Sequence, residues 1–232
     1  GQAREVLLVG DGSNPAIHEF PAIYDSLMRN VPHRFVNGTT SALRPVAPAA
    51  VLLDVGTFNA RRIYHGWGVK SDIVPLRSDE GELTILYMPQ RSEDLTPRVL
   101  FSDPRELANG VTLLGYTPMA GDTLRWKIYW QTGETVDANY HFFNHLLDQE
   151  GTRVGQVDAP AFAASQWRAR DHVVSFFSTD QTSGGQVETL RLGMYSYPAV
   201  ANVPLIDDNG NPVDDALMAR WMSEETLSNR PE

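Results

Sequence analysis

A chain of 232 residues with 42% hydrophobic and 21% charged side chains is ordinary globular material, long enough for one large domain or two small ones, which excludes disorder, collagen and coiled coil. Its 19 Lys and Arg against 29 Asp and Glu leave a formal charge of −10, so a phosphate backbone is repelled and nucleic acid is not an expected partner. Zero cysteines exclude thiol catalysis, thiolate zinc sites and disulfides, and no apolar run approaches the ~18 residues of a membrane helix.

The first ninety residues mix two periodicities, as strands alternating with helices do. Glu5 to Gly10 is a short apolar run ending in glycine, the pattern of a strand buried on both faces. After the turn formers Asp11 to Pro15, the residues Ile17, Phe20, Tyr24, Leu27 and Met28 recur at three- and four-residue steps. They predict an amphipathic helix ending near Asn30, because Pro32 disfavours helical geometry in the residue before it. His33 to Val36 reads as a strand closed by Asn37-Gly38, Ala49 to Gly56 as a second buried strand, and Thr57 to Tyr64 as a second helix. Val69 to Pro75 and Leu83 to Met88 read as further strands, the latter bounded by Gly81 and Pro89. A small three-layer α/β domain over residues 1–95 is therefore expected, with its boundary in the polar stretch 90–97.

From Arg98 onward, period-two alternation and regular turn signals predict an antiparallel β-sandwich, jelly-roll-like, over residues 96–232. In Thr123 to Trp130 the residues Leu124, Trp126, Ile128 and Trp130 share one face, as a sheet with one side in the core requires. Tyr140 to Leu147, Arg153 to Val157, Val173 to Ser178, Glu188 to Tyr195 and Val203 to Ile206 complete the expected strands. The turns between them are Asp148 to Gly151, Gln181 to Gly185, Tyr197-Pro198 and the hairpin signal Asp207 to Pro212. The tail from Asp214 to Leu227 places Leu217, Trp221 and Met222 at helical steps and predicts a short terminal helix. Gly1 ahead of Gln2-Ala3-Arg4 reads as an artificial start, so a longer parent protein is expected.

Gly121 to Gln131, then Tyr140 to Asp148, Gln156-Val157-Asp158, Trp167 and Leu190 to Tyr195 together carry a resemblance. They resemble the β-sandwich at the C-terminal, extracytoplasmic end of Chloroflexi-type polytopic glycosyltransferase-like membrane proteins of the dolichyl-phosphate-mannose mannosyltransferase type. The likeness covers residues 110 to 215. Two positions depart from that pattern: Arg170 stands where glycine follows the tryptophan turn, and Glu188 where an aromatic precedes the Leu-x-Leu-Gly strand. The resemblance implies that sugar-transfer chemistry belongs to a membrane-embedded remainder of the same protein. This chain would then be an accessory piece on the extracytoplasmic side of the bacterial cell membrane, contacting glycan or lipid-linked sugar.

The candidate sites are few. Gly10, Gly12 and Ser13 lie between a strand and a helix, where free amides could hold an anion. Pro15 replaces the third glycine of a dinucleotide fingerprint, and no acidic residue follows about twenty positions on. Ser13 in Gly-Asp-Gly-Ser also invites an esterase reading, but the chain lacks the Asp-x-x-His that such enzymes place near the C-terminus. His141 and His145 fall on one strand face with Phe143 between them, ~13 Å apart and too far to chelate one ion. His145 near Asp148 could orient a ligand hydroxyl. Trp67 between glycines and Trp167 among polar residues stand in loop-like context, where an aromatic face could cover a sugar ring. Asp207, Asn209 and Asn211 gather oxygen ligands at alternating positions, so calcium is the one cofactor with a candidate loop, although a hairpin demands the same residues.

No catalytic constellation emerges, and the expected function is a non-catalytic accessory module. The competing expectations are a hydrolase or nucleotide-binding enzyme at the carboxyl ends of the α/β strands, near Asp11, Ser13, Asp54 and His65, and a purely structural or assembly domain.

Overall fold

The computed structural model describes residues 2–54, 56–68, 70–75, 82–90, 95–103, 105–180 and 186–228. The expected turn Gln181 to Gly185, Gly81 and residues 91–94 of the expected boundary stretch lie outside them. Two compact units result. The first is Gly1–Asp94 with Arg170–Val173, and the second is Leu95–Ala169 with Val174–Glu232. Among the described residues no helix is long and apolar enough to cross a membrane.

The first unit runs β1 (Glu5–Gly10), α1 (Glu19–Met28), β2 (His33–Asn37), β3 (Ser41–Arg44), β4 (Ala49–Leu53), α2 (Phe58–Trp67), β5 (Lys70–Pro75) and β6 (Glu82–Met88). Five of these strands form one sheet in the order β2-β1-β4-β6-β5. In it β1 pairs β2 and β4 in parallel, while β6 pairs β4 and β5 antiparallel. Leu8, Phe35, Leu52 and Leu83 make one buried cluster, against which Phe20, Tyr24 and Met28 of α1 pack. Their neighbours Leu7, Val9, Val51 and Leu53 point to the opposite side and are also buried, which is why β1 and β4 read as uninterrupted apolar runs. Helix α1 starts at Glu19, two residues after the expected Ile17, with His18 as an N-cap whose side chain makes no capping bond to the helix. Strand β3 was not expected: four residues between the Asn37-Gly38 turn and Pro45 are too short to show a period.

Charge is buried in this unit. Arg34 on β2 makes two parallel bonds to Glu5 on β1, Nε to Oε2 at 2.9 Å and Nη2 to Oε1 at 2.8 Å, and its Nη1 reaches Asp171 Oδ2 at 2.5 Å. Asp171 Oδ1 accepts the Val46 backbone N–H at 2.9 Å. All three side chains are almost fully shielded from solvent. Burial opposes the Arg34 charge, but the bond to Glu5 and the Asp171 carboxylate more than offset it and hold its pKa above the ordinary arginine value.

The second unit comprises β7 (Val99–Leu100), β8 (Glu106–Leu107), β9 (Thr112–Met119), β10 (Leu124–Gln131), β11 (Asn139–Leu147), β12 (Arg153–Pro160), β13 (His172–Thr179, its first residues counted with the first unit), β14 (Thr189–Tyr197), β15 (Ala201–Val203), β16 (Leu205–Ile206), β17 (Pro212–Asp214), β18 (Leu217–Arg220) and a short α3 (Glu224–Ser228). One sheet has the order β17-β16-β8-β9-β10-β13, with β7 also on β9. The other has β12-β11-β14-β15, with β18 also on β14. Their inner faces meet in an aromatic core: Trp126 stacks on Phe177 at 5.8 Å, and Trp130 meets Phe142 edge-on at 5.5 Å. The face Trp126, Ile128, Trp130 is buried as its alternation requires.

The architecture is thus a β-sandwich, but the jelly-roll-like connectivity expected for it needs correction. A jelly roll sends most successive strands to opposite sheets. Here β9-β10 and β11-β12 are hairpins within one sheet, after which β13 returns beside β10 and β14 beside β11, the Greek-key order of immunoglobulin-type sandwiches. The tail is also corrected. Leu217 and Trp221 satisfy a helical step of four, yet residues 217–220 form β18 on β14, and the helix of the tail, α3, lies beyond it. Arg170 sits at φ 68°, the left-handed region that favours glycine.

Candidate functional site

Strands β11, β12 and β14 turn one side of the second sheet to the core and the other to solvent. Tyr140, Phe142, Asn144 and Leu146 of β11 point inward, so His141, Phe143 and His145 share the outer face, as their even spacing requires. Register then sets their neighbours: His141 lies opposite Tyr195 and Pro160, Phe143 opposite Gly193 and Asp158, and His145 opposite Arg191 and Gln156. Tyr197, one step beyond Tyr195 on the same side, is 51% exposed.

At one end of this face the rings are stacked. Tyr197 lies on His141 at 4.5 Å and 14°, and Tyr195 sits 5.5 Å from the same imidazole. Gly193 leaves a gap that the Phe143 ring fills, since a Cβ there would come within 2.2 Å of that ring, and the Arg191 guanidinium covers the ring at 5.2 Å. A chain of polar contacts runs along the edge. Arg153 donates to Gln156 Oε1 at 2.7 Å, Gln156 donates to Asp158 Oδ1 at 3.0 Å, and the Tyr195 hydroxyl donates to Asp158 Oδ2 at 3.5 Å. These contacts set ring surface, hydroxyl, carboxylate and amide groups beside one another on the face.

Burial pushes the His141 pKa down against the opposing pull of Asp158. It pushes His145 down too, helped by the charges of Arg191 and Arg153. Burial, then the Asp158 charge, raises the Tyr195 pKa, so its hydroxyl keeps its proton. Both histidines bind a proton less readily in the folded chain than in the unfolded one. Their contribution to stability is present above the unfolded value of ~6.5 and is lost as pH falls through the lower folded values. A His141→Gln/His145→Gln variant is accordingly expected to lose less melting temperature than the parent between about pH 6.5 and 5. Identical slopes in thermal melts across that window would contradict this assignment.

The residues expected from sequence fare differently. His145 is on this face. Asp148 is not part of it: its Oδ1 accepts the Thr152 N–H at 2.7 Å and closes the β11–β12 turn. Trp167 must be corrected from an available loop aromatic to a core residue. It is 1% exposed, stacked on Tyr140 and set edge-on to Trp130, with its Nε1 donating to the Phe162 carbonyl at 2.8 Å. Trp67, in the first unit, is half-buried beside Tyr64, with the Arg44 guanidinium 5.9 Å over its ring.

The loop Gly10, Gly12, Ser13 is capped by its own chain. A Cβ on Gly10 would meet the Phe20 ring at 2.5 Å, and one on Gly12 the His18 ring at 2.2 Å. His18 Nδ1 is engaged with the Asn14 backbone, so it is not directed at Ser13 as a base. Asp207 serves its hairpin. Its Oδ1 accepts from the N–H groups of Asn209 and Asn211, the bonds that also lower its pKa, and its Oδ2 accepts from Asn211 Nδ2. Among the described residues no group of three or more His, Asp or Glu is arranged to hold a metal.

Arg153, Gln156, Asp158, Arg191, Tyr195 and Tyr197 are the members of the face that the sequence did not single out. The signal available was the outward parity of Arg191, Tyr195 and Tyr197 on one predicted strand, but which strand lay beside them was not written in that strand. The fold and this face together define a two-unit, mostly β protein whose sandwich carries an aromatic and polar outer surface. No family model matches the chain, and neither the curated proteins nor the solved structures contain a match to it.

Proposed function

We propose that this chain is a non-catalytic, glycan-contacting accessory module, working on the extracytoplasmic side as part of a membrane-anchored glycosyltransferase-like protein. In this reading the first unit is a small three-layer α/β domain that serves as scaffold, and the second carries the contact. The observation that supports it most is the outer face of β11, β12 and β14, where stacked Tyr197, His141 and Tyr195 stand beside Asp158 and Gln156. Flat rings cover the apolar side of a pyranose, while a carboxylate, an amide and neutral imidazoles bond its hydroxyls. The resemblance over residues 110 to 215 is what supports the parent protein and the compartment in this reading, and a membrane-embedded remainder of that parent would be the partner.

Titrating the protein with a panel of neutral oligosaccharides, followed by amide chemical shifts, tests the reading. Saturable binding at millimolar concentration is expected, with shifts concentrated on β11 and β14. Tyr197→Ala removes an exposed ring and is expected to weaken binding about tenfold or more, some 1.4 kcal/mol, with an unchanged melting temperature. Absence of binding by every sugar in the panel would leave the structural or assembly account instead.

A further inference from the structure

The outer face is not uniform in charge. Its tyrosine end carries Asp158, and its other end carries Arg191 and Arg153. Arg191 Nη1 lies 3.2 Å from His145 Nδ1, and Arg153 donates to Gln156. Among the described residues neither guanidinium is paired with a carboxylate, in a chain whose formal charge is −10. Arg191 on β14 and Arg153 on β12 flank β11 at the His145 end of the face, so an acidic protein has somewhere local to place an anion that the rest of its surface would repel. Guanidinium groups suit carboxylates because their planar N–H pairs match both oxygens.

The length of the face narrows the ligand. From Tyr197 to Arg191 is six residues of one strand, ~20 Å at the usual strand rise. A single sugar phosphate cannot cover the rings and reach the arginines together, whereas a short oligosaccharide can. Asp158 in turn disfavours an acid group at the tyrosine end, which gives the ligand a direction.

Resting on the glycan reading above, we propose that this face selects an acidic oligosaccharide, laying a neutral ring on Tyr197 and His141 and a uronic-acid carboxylate against Arg191 and Arg153. The occupant is a short saccharide with a neutral unit at one end and an acidic unit at the other. The binding is an equilibrium contact, with no bond made or broken.

Titration calorimetry with a hyaluronan tetrasaccharide and with its carboxyl methyl ester tests the proposal, because the two differ in charge and hardly in shape. The acid form is expected to bind about tenfold or more tightly than the ester, and to weaken as salt is raised. Arg191→Met, whose thioether still covers the Phe143 ring, should bring the acid down to the level of the ester, as should Arg153→Gln at an exposed edge. Arg191→Lys should recover part of the difference, and Tyr197→Ala should weaken acid and ester alike. Equal binding of acid and ester overturns the proposal and leaves the glycan reading intact. Binding of neither overturns both. Competition by inorganic phosphate, in a protein whose affinity is unchanged by Tyr197→Ala, would mark a bare anion site and also overturn it.

Discussion

Arg34→Met is expected to destabilise the first unit by about 3–5 kcal/mol, the cost of leaving buried charge without its partner. Arg34 bonds Glu5 through two parallel N–H groups and Asp171 through a third, and all three side chains are shielded from water. Taking the guanidinium away removes a buried cationic partner from two carboxylates at once. Arg34→Lys is not a mild alternative, because one ammonium cannot reproduce a planar fork that serves two acids at once. The measurement is urea unfolding at neutral pH, read as a lower midpoint. A second variant keeps the claim falsifiable: Glu5→Leu/Arg34→Met/Asp171→Leu removes every member of the triad and should recover much of the loss, as replacing whole buried ion clusters does. A triple variant no more stable than Arg34→Met alone would show that the deficit is lost packing and not stranded charge.

That triad also shows where the sequence stops informing. Glu5 and Arg34 stand in strands whose apolar runs are plain in the sequence, and β1, β4 and β6 fall where those runs predict. Nothing local says that Asp171, 137 positions beyond Arg34, comes to meet it. The same distinction runs through the second unit. The alternation of Trp126, Ile128 and Trp130 announces a one-sided strand because period two is a property of that segment alone. Trp167 is illegible in the sequence for the opposite reason. Its neighbours Gln166, Arg168 and Arg170 are polar, but its burial is decided by Trp130 and Tyr140 on other strands. In the tail, Leu217 and Trp221 satisfy a helical step, and pairing with β14 overrides it. Of the candidate face, the stripe His141, Phe143, His145 was legible as strand parity. Placing Asp158 and Arg191 beside it required the register of three strands, which no single segment encodes.

The second large effect is expected at Trp126, in the middle of the sandwich. Its ring stacks on Phe177 and meets Trp221 edge-on, and it is fully buried. Trp126→Ala leaves a cavity between the sheets and is expected to cost about 3–5 kcal/mol. The indole also has a polar duty. Nε1 donates to Asn144 Oδ1 at 3.0 Å, and the Asn144 amide donates onward to the Val157 carbonyl at 3.3 Å, so one buried chain of bonds ties β10 in one sheet to β11 and β12 in the other. Trp126→Phe keeps most of the ring but orphans the Asn144 oxygen, and should therefore cost about 1–3 kcal/mol more than its lost area implies. Adding Asn144→Leu to Trp126→Phe removes the stranded acceptor. If the bond matters through the penalty of an unmet buried oxygen, the double variant is more stable than the sum of its two single changes, a coupling that a double-mutant cycle measures directly. Strict additivity would mean that Asn144 finds another partner once the indole is gone, and that the two sheets are held by ring packing alone.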